Sequence, residues 1–425
     1  MSLAQKESSS LIDTQKIPRG KWLVLIAAFL GWMFDGMEMG IFPLVARPAL
    51  IEMQRTTGIV DDTFVGHWMG IVTALFLVGA ACGGMIFGWL GDRIGRVRAM
   101  SASILCYSLF TGLCYFASEP WHLGFFRFLA ALGMGGEWSL GVALVMEIWP
   151  EKSRPLMAGI IGAAANVGYL LIGVIAIQFP ITPTSWRWVM MVGAAPALLT
   201  FFIRLFVPES EKWKESVKGA PSKPFREIFS PALFRTTILA IAFASIALIG
   251  TWGSVQWLPL WADKMAGAAM PQAKAYTQMA SAFGAIIGCV LGALLGGKIG
   301  RRPTYFMLCL GSLVTCGFLF RSVDQYNNLF LCTVFLVGAL TAAFYGWLPL
   351  YLPELFPTRV RATAQGLSFN FGRILAAVGA LQMGNLMRHF DGSYAKAGAI
   401  ITLIYILGLF LIWLAPETKG KPLPK

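Results

Sequence analysis

Five charged residues stand inside long apolar runs, and their types are those that bind protons or organic anions. Asp35 and Glu38 are three residues apart in the first run, which puts them about 60° apart on one helix face. An acid at the centre of a bilayer costs about 2.5–3.5 kcal/mol on insertion scales, so each needs a hydrated cavity, a partner or a proton. Glu137, flanked by Gly135, Gly136 and Trp138, is a third acid in such a run. Asp35, Glu38 and Glu137 are therefore the proton-coupling candidates, and the sequence does not choose among them. Arg127 precedes Glu137 by ten residues, about 15 Å along a helix. A direct pair with Glu137 is not expected, and a structural or coupling role is.

Arg373 is the informative charge of the second half. It follows Asn370 by three residues, on the same helical face. No acid is evident at comparable depth in that half: Asp263, Asp324 and Asp391 fall in loops, and Glu354 lies at a run's end. A planar guanidinium without a partner clamps a carboxylate with two parallel bonds. The carboxylate would be a solute's, or that of Asp35, Glu38 or Glu137 across the molecule. Asn370, Asn166 with Tyr169, Trp252 with Gln256, and Tyr345 complete the candidate solute contacts. The amides carry most of this expectation, because an amide in hydrocarbon needs partners. Pro259 and Pro349 are expected to bend their helices.

The elements that must position these groups are membrane helices. Of 425 residues, 57% are hydrophobic and 13% charged, with mean hydropathy +0.67; soluble domains carry about 25% charge. Apolar runs of the length that crosses about 30 Å of hydrocarbon occur at 22–46, 65–90, 98–117, 121–148, 156–178, 187–206, 234–262, 275–297, 304–320, 328–352, 362–387 and 395–415. None shows the alternation of a β-barrel. The net charge of +13 does not point to nucleic acid. With the N-terminus inside, lysines and arginines favour the inner loops by about three to one, the positive-inside pattern. That places both termini in the cytoplasm and the chain in the cell membrane, with the lipid bilayer and a small solute as its partners. The expected division is a tail 1–21, a bundle 22–206, a cytoplasmic linker 207–233, a second bundle 234–416 and a tail 417–425. A monomer is expected.

A repeat supports that division. Gly88-Trp-Leu-Gly-Asp92-Arg93-Ile-Gly95-Arg96 is a basic hinge between two runs, and Gly292-Ala-Leu-Leu-Gly-Gly297-Lys-Ile-Gly300-Arg301 repeats it at an offset of 205. Glu147-Ile-Trp-Pro with Arg154 recurs as Glu354-Leu-Phe-Pro with Arg361 at 207, and Pro208-Glu209-Ser210 as Pro416-Glu417-Thr418 at 208. Halves of equal orientation make a parallel repeat. Asp92 is expected to act as a conformational latch, pairing with nearby bases or capping a neighbouring helix. Its counterpart is Gly297, so the first copy should dominate. Glycines every fourth residue at Gly284, Gly288, Gly292 and Gly296 mark close helix packing.

Together these features resemble the major facilitator superfamily of secondary transporters. The loop Gly88…Asp92-Arg93…Gly95-Arg96 is similar to that superfamily's signature between helices two and three, and Arg127…Gly133-Met-Gly135 to its helix-four motif. Phe34-Asp-Gly-Met-Glu38, and the stretch from Arg127 to Trp138 leading to Glu147-Ile-Trp-Pro and Arg154, resemble the branch of metabolite:proton symporters that carries aromatic acids, sialate or lactate. The resemblance implies an all-α polytopic protein of twelve transmembrane helices in two six-helix bundles. It implies alternating access, with Gly88, Asp92, Arg93, Gly95, Arg96, Arg127, Glu147, Arg154, Glu354 and Arg361 as gating residues. Thr251-Trp-Gly-Ser-Val-Gln-Trp departs from the polar seventh-helix signature of lactate permeases.

No nucleotide loop, His-Glu-x-x-His motif or hydrolytic triad is present, and the seven cysteines form no metal-type cluster. An enzyme is therefore not expected, nor is a cofactor. The reading is proton-coupled symport of a small organic anion. A neutral sugar or organic cation carried by the same fold, or a receptor that does not cycle, is the alternative.

Overall fold

The computed structural model describes residues 19–55, 62–178, 184–196, 198–199, 203, 206–217, 224–266, 270, 273–390 and 393–424. Among them there are helices and turns but no strand. With no water in a bilayer core, a helix satisfies every backbone group internally, which is why apolar runs of this length fold this way. The first half forms α1 (Arg19–Arg55), α2 (Asp62–Ile94), α3 (Arg96–Leu113), α4 (Pro120–Ile148), α5 (Arg154–Gln178) and α6 (Trp186–Ala194). The second forms α7 (Pro231–Gly253), α8 (Ala273–Ile299), α9 (Arg301–Ser322), α10 (Asn328–Leu355) and α11 (Arg361–His389). It ends in α12, the span Tyr394–Leu414. Ten of these helices are long and apolar enough to cross a membrane. The tail up to residue 18, and parts of the sixth run, lie outside the described residues.

Within the first half α2 packs on α4, α3 on α4, and α1 on α5. The second half repeats the scheme, with α8 on α10 and α7 on α11. The halves meet where α2 crosses α11 and where α5 lies against α8 and α10. Small residues set these distances: a Cβ at Gly288 would come within 1.9 Å of the Ala339 carbonyl oxygen. Gly95 and Gly300 have φ of 106° and 111°, values an L side chain rarely adopts. The two hinges therefore share one backbone turn.

The seventh run departs from expectation. It is not one helix over 234–262: α7 stops at Gly253, a 3-10 turn follows at Val255–Trp257, and a second helix begins at Leu258. Ser254 leaves helical geometry at φ −134°, next to Gly253 and shortly before Pro259, whose nitrogen carries no hydrogen. Pro349 and Pro353 lie within α10. The linker holds two short helices, Glu211–Val217 and Pro224–Ile228. They mark one end of the molecule, the linker end.

Candidate functional site

The acids of α1 have different partners. Arg127 of α4 forms an ion pair with Glu38, and the Thr111 hydroxyl donates to the same carboxylate at 3.0 Å. The rings of Phe42 and Phe76 lie 4.9 and 4.6 Å from the guanidinium. Arg127 thus joins α4 to α1 within the first bundle, and both donors, Arg127 and Thr111, meet Glu38 at Oε1.

Asp35 and Glu137 are both buried, and among the described residues no donor reaches either carboxyl. They lie side by side across α1 and α4. Glu137 fits the notch at Gly31, one turn before Asp35, where a Cβ would collide with its Oε1. Two ionised carboxylates are both acceptors, so only a proton can join them in a hydrogen bond. The arrangement suits a shared, exchangeable proton.

Arg373 of α11 is buried and, among the described residues, makes no ion pair. Its Nη1 donates to Asn370 Oδ1 at 2.9 Å, and its guanidinium carbon lies 5.2 Å from the Phe369 ring centre. Asn370 donates to the carbonyls of Gly135 at 3.2 Å and Gly366 at 3.0 Å. Both ends of its amide are engaged, so it positions Arg373 and ties α11 to α4. Tyr345 is half-buried, its hydroxyl has no hydrogen-bond partner among the described residues, and its ring stands 6.3 Å from Phe369.

The remaining candidates divide. Asn166 is one turn beyond Gly162, which packs against the Tyr345 carbonyl, and so continues the face of α5 turned to α10. Tyr169 packs beside Gly40 of α1. Trp252 sits in the last turn of α7, and Gln256 is exposed in the following 3-10 turn. The helix break therefore separates the two residues that a continuous helix would have stacked. Sequence reasoning missed Trp32 and Phe369. Trp138 stacks on Phe369 at 4.1 Å, with Trp32 6.3 and 6.4 Å from the two rings. This aromatic layer closes the bundles together on one side of Arg373. Nothing in sequence separates these rings from the many lipid-facing ones.

At the linker end the hinge residues assemble. Asp92 accepts from the Thr363 amide at 2.7 Å, the Thr363 hydroxyl at 2.6 Å and the Ala362 amide at 3.3 Å, capping α11 of the other bundle. Arg96 reaches Asp92 at 2.8 Å, Glu147 at 3.2 Å and the Thr358 carbonyl at 2.7 Å. Arg361 pairs with Glu147 at 2.9 Å, and Ser210 donates to the other Glu147 oxygen. Gly88 permits the crossing, since a Cβ there would stand 2.8 Å from the Ala362 carbonyl oxygen.

The second copy repeats part of this, with Arg301 gripping Glu354 through two bonds of 2.9 and 2.6 Å and Thr418 donating to Glu354. Four expected gating residues do not join the latch: Arg127 pairs with Glu38, Glu354 is held by Arg301, and Arg93 and Arg154 bond elsewhere. Arg93 lies over the Trp89 ring, and Arg154 donates to its own bundle's Met146 carbonyl at 3.2 Å.

Glu209 and Glu417 were legible only as repeat landmarks. Each caps the first turn of a helix: Glu209 takes the amides of Arg96 and Val97, Glu417 those of Arg301 and Arg302. Burial pushes the Glu417 carboxyl up, but its backbone N–H donors outweigh that and hold it below the ordinary carboxylate range.

Two bundles joined in parallel repeat, with buried charges between them and a charged latch at one end, define a secondary transporter. The family model described as Major Facilitator Superfamily matches residues 22–380, and the chain belongs to that superfamily. It is a multi-pass membrane transporter and not an enzyme. It is 30% identical to a probable 4-methylmuconolactone transporter of Cupriavidus pinatubonensis, over 93% of this chain and 90% of that one. It is 29% identical to a cis,cis-muconate transport protein of Acinetobacter baylyi, over 86% and 87%. Among solved structures, the proton:xylose symporter XylE superposes with a TM-score of 0.77 at 16% identity, covering 95% of this chain and 98% of that one. That likeness shows the fold.

Proposed function

We propose that the protein carries a small organic carboxylate together with a proton by alternating access. The observation that carries this reading is Arg373: a buried guanidinium without an ion pair among the described residues, oriented by Asn370 and Phe369, which in turn contact Gly135 and Trp138 on either side of Glu137. The solute carboxylate completes the site by occupying the guanidinium fork. The acid pair carries the proton, and its charge state is coupled to the solute through Arg373. Tyr345 and Asn166 supply further contacts. Relatives named for muconate and methylmuconolactone support an organic acid as cargo. The bundles are residues 22–206 and 234–416, acting as a monomer in the cell membrane with the linker end in the cytoplasm, as the basic loops indicate.

Uptake into proteoliposomes over a panel of carboxylates, sugars and amines tests this. Carboxylates should be transported and compete with one another. Arg373→Lys keeps the charge and loses the planar fork, and should raise the KM for the carboxylate at least tenfold. Transport of a sugar or amine that Arg373→Lys leaves intact would refute the reading.

A further inference from the structure

The two repeats part company after their last shared residues. Behind Pro208-Glu209-Ser210 the chain enters the helix Glu211–Val217. Behind Pro416-Glu417-Thr418 it turns at Gly420, where φ is 72°, with the Lys421 amide donating to the Thr418 carbonyl at 3.0 Å. It then runs back beneath the second bundle and buries Leu423. The Pro424 carbonyl accepts from Arg361 Nη2 at 2.9 Å and from the Thr358 hydroxyl at 3.2 Å.

Those two residues are part of the second bundle's contribution to the latch, beside the Ala362 and Thr363 donors that Asp92 accepts. The Thr358 carbonyl accepts from Arg96 Nη2 at 2.7 Å, and Arg361 Nη1 donates to Glu147 Oε1 at 2.9 Å, both partners being from the first bundle. The rest of the Arg361 fork bonds the carbonyls of Pro353 at 3.1 Å and Phe356 at 3.2 Å. A long side chain loses rotamer entropy when it is fixed to make an ion pair. Carbonyls that fix it in advance remove that cost at the moment of closure.

We propose that residues 419–424 are a strap that presets Arg361 and the Thr358 turn for the first bundle and so biases the transporter toward the state closed at the linker end. The strap is anchored upstream by Glu417 on α9 and by Thr418 on Glu354. It can therefore detach without loosening those anchors. When the linker end opens, Arg361 leaves Glu147, and Pro424 no longer holds it in the pairing rotamer. Two prolines in the last four residues keep this segment extended. The proposal needs no knowledge of the solute.

Hydrogen exchange of the intact protein in nanodiscs tests it. A chain ending at Lys419 keeps both anchors. In it, amides of residues 358–366 should exchange about tenfold faster, the worth of about one hydrogen bond to a charged group, while those of 301–308 stay unchanged. Thr358→Val removes one donor to Pro424 and leaves the Thr358 carbonyl in place, and should show part of the same effect. Truncation in an Arg361→Gln background should add only the smaller part that runs through the Thr358 hydroxyl. Unchanged exchange at 358–366 after truncation would overturn the proposal. So would equal acceleration at 301–308, or a full truncation effect in the Arg361→Gln chain.

Discussion

The two hinges share a backbone and differ in what they reach. At each, an arginine after a positive-φ glycine bonds a glutamate at the end of a later helix, and a Ser or Thr hydroxyl completes that glutamate. Only the first crosses to the other bundle. Asp92 caps α11, whose Ala362 and Thr363 offer two amides and a hydroxyl. At the matching place on α5 stands Pro155, which has no amide hydrogen, and the residue facing it is Gly297. An acid there would lack the donor that Ala362 offers Asp92. The same holds for the arginines: Arg361 reaches Glu147, whereas Arg154 leaves Nη1 without a partner. A symmetric fold thus carries one interbundle latch and one intrabundle clamp.

The largest effect should come from the two glutamates. Glu147→Gln leaves Arg361 buried without its charge partner and Arg96 with Asp92 alone, and breaking such a buried pair costs about 3–5 kcal/mol. The linker-end closed state should be depopulated, seen as fast exchange at 358–366 and a collapse of turnover. Glu354→Gln breaks a pair inside one bundle. It should lower the melting temperature while leaving the gating equilibrium nearly unchanged. If both variants behave alike, the contrast between latch and clamp is wrong.

Next is Asp92→Asn, which loses a charged cap worth about 1–2 kcal/mol. Turnover should fall roughly tenfold with the solute Kd changed less than twofold, as equilibrium binding would report. The smallest effect sharpens the comparison by building the missing half. Pro155→Ala supplies an amide, and Gly297→Asp with it supplies the acid; alone, Gly297→Asp puts its Cβ 2.5 Å from the Pro155 ring. The double variant should gain a second cap and slow opening about threefold, within the range of a single cap.

Much of this was legible in the sequence because it is local or repeated. Run length specifies the helices, and three short motifs at near-constant offset reveal the halves. Partner choice was not legible. Arg127 and Glu38 are separated by 89 residues, and nothing in either run says that they meet while Glu137 turns to Asp35. A bend at Pro259 was legible, but the full break that begins at Ser254 was not, because the run stays apolar through it. The Pro424 contact uses a backbone carbonyl, which every residue has, so no residue type could announce it.

The central claim is that proton and organic anion move together through the Asp35–Glu137 pair and Arg373. The most direct measurement is accumulation of a transported carboxylate in proteoliposomes under an imposed pH gradient, for the native chain and for Asp35→Asn. The account predicts uphill accumulation that collapses when the gradient is dissipated. It also predicts that Asp35→Asn loses this accumulation yet still exchanges solute down its gradient. Accumulation that ignores the pH gradient, or that survives Asp35→Asn undiminished, would contradict it.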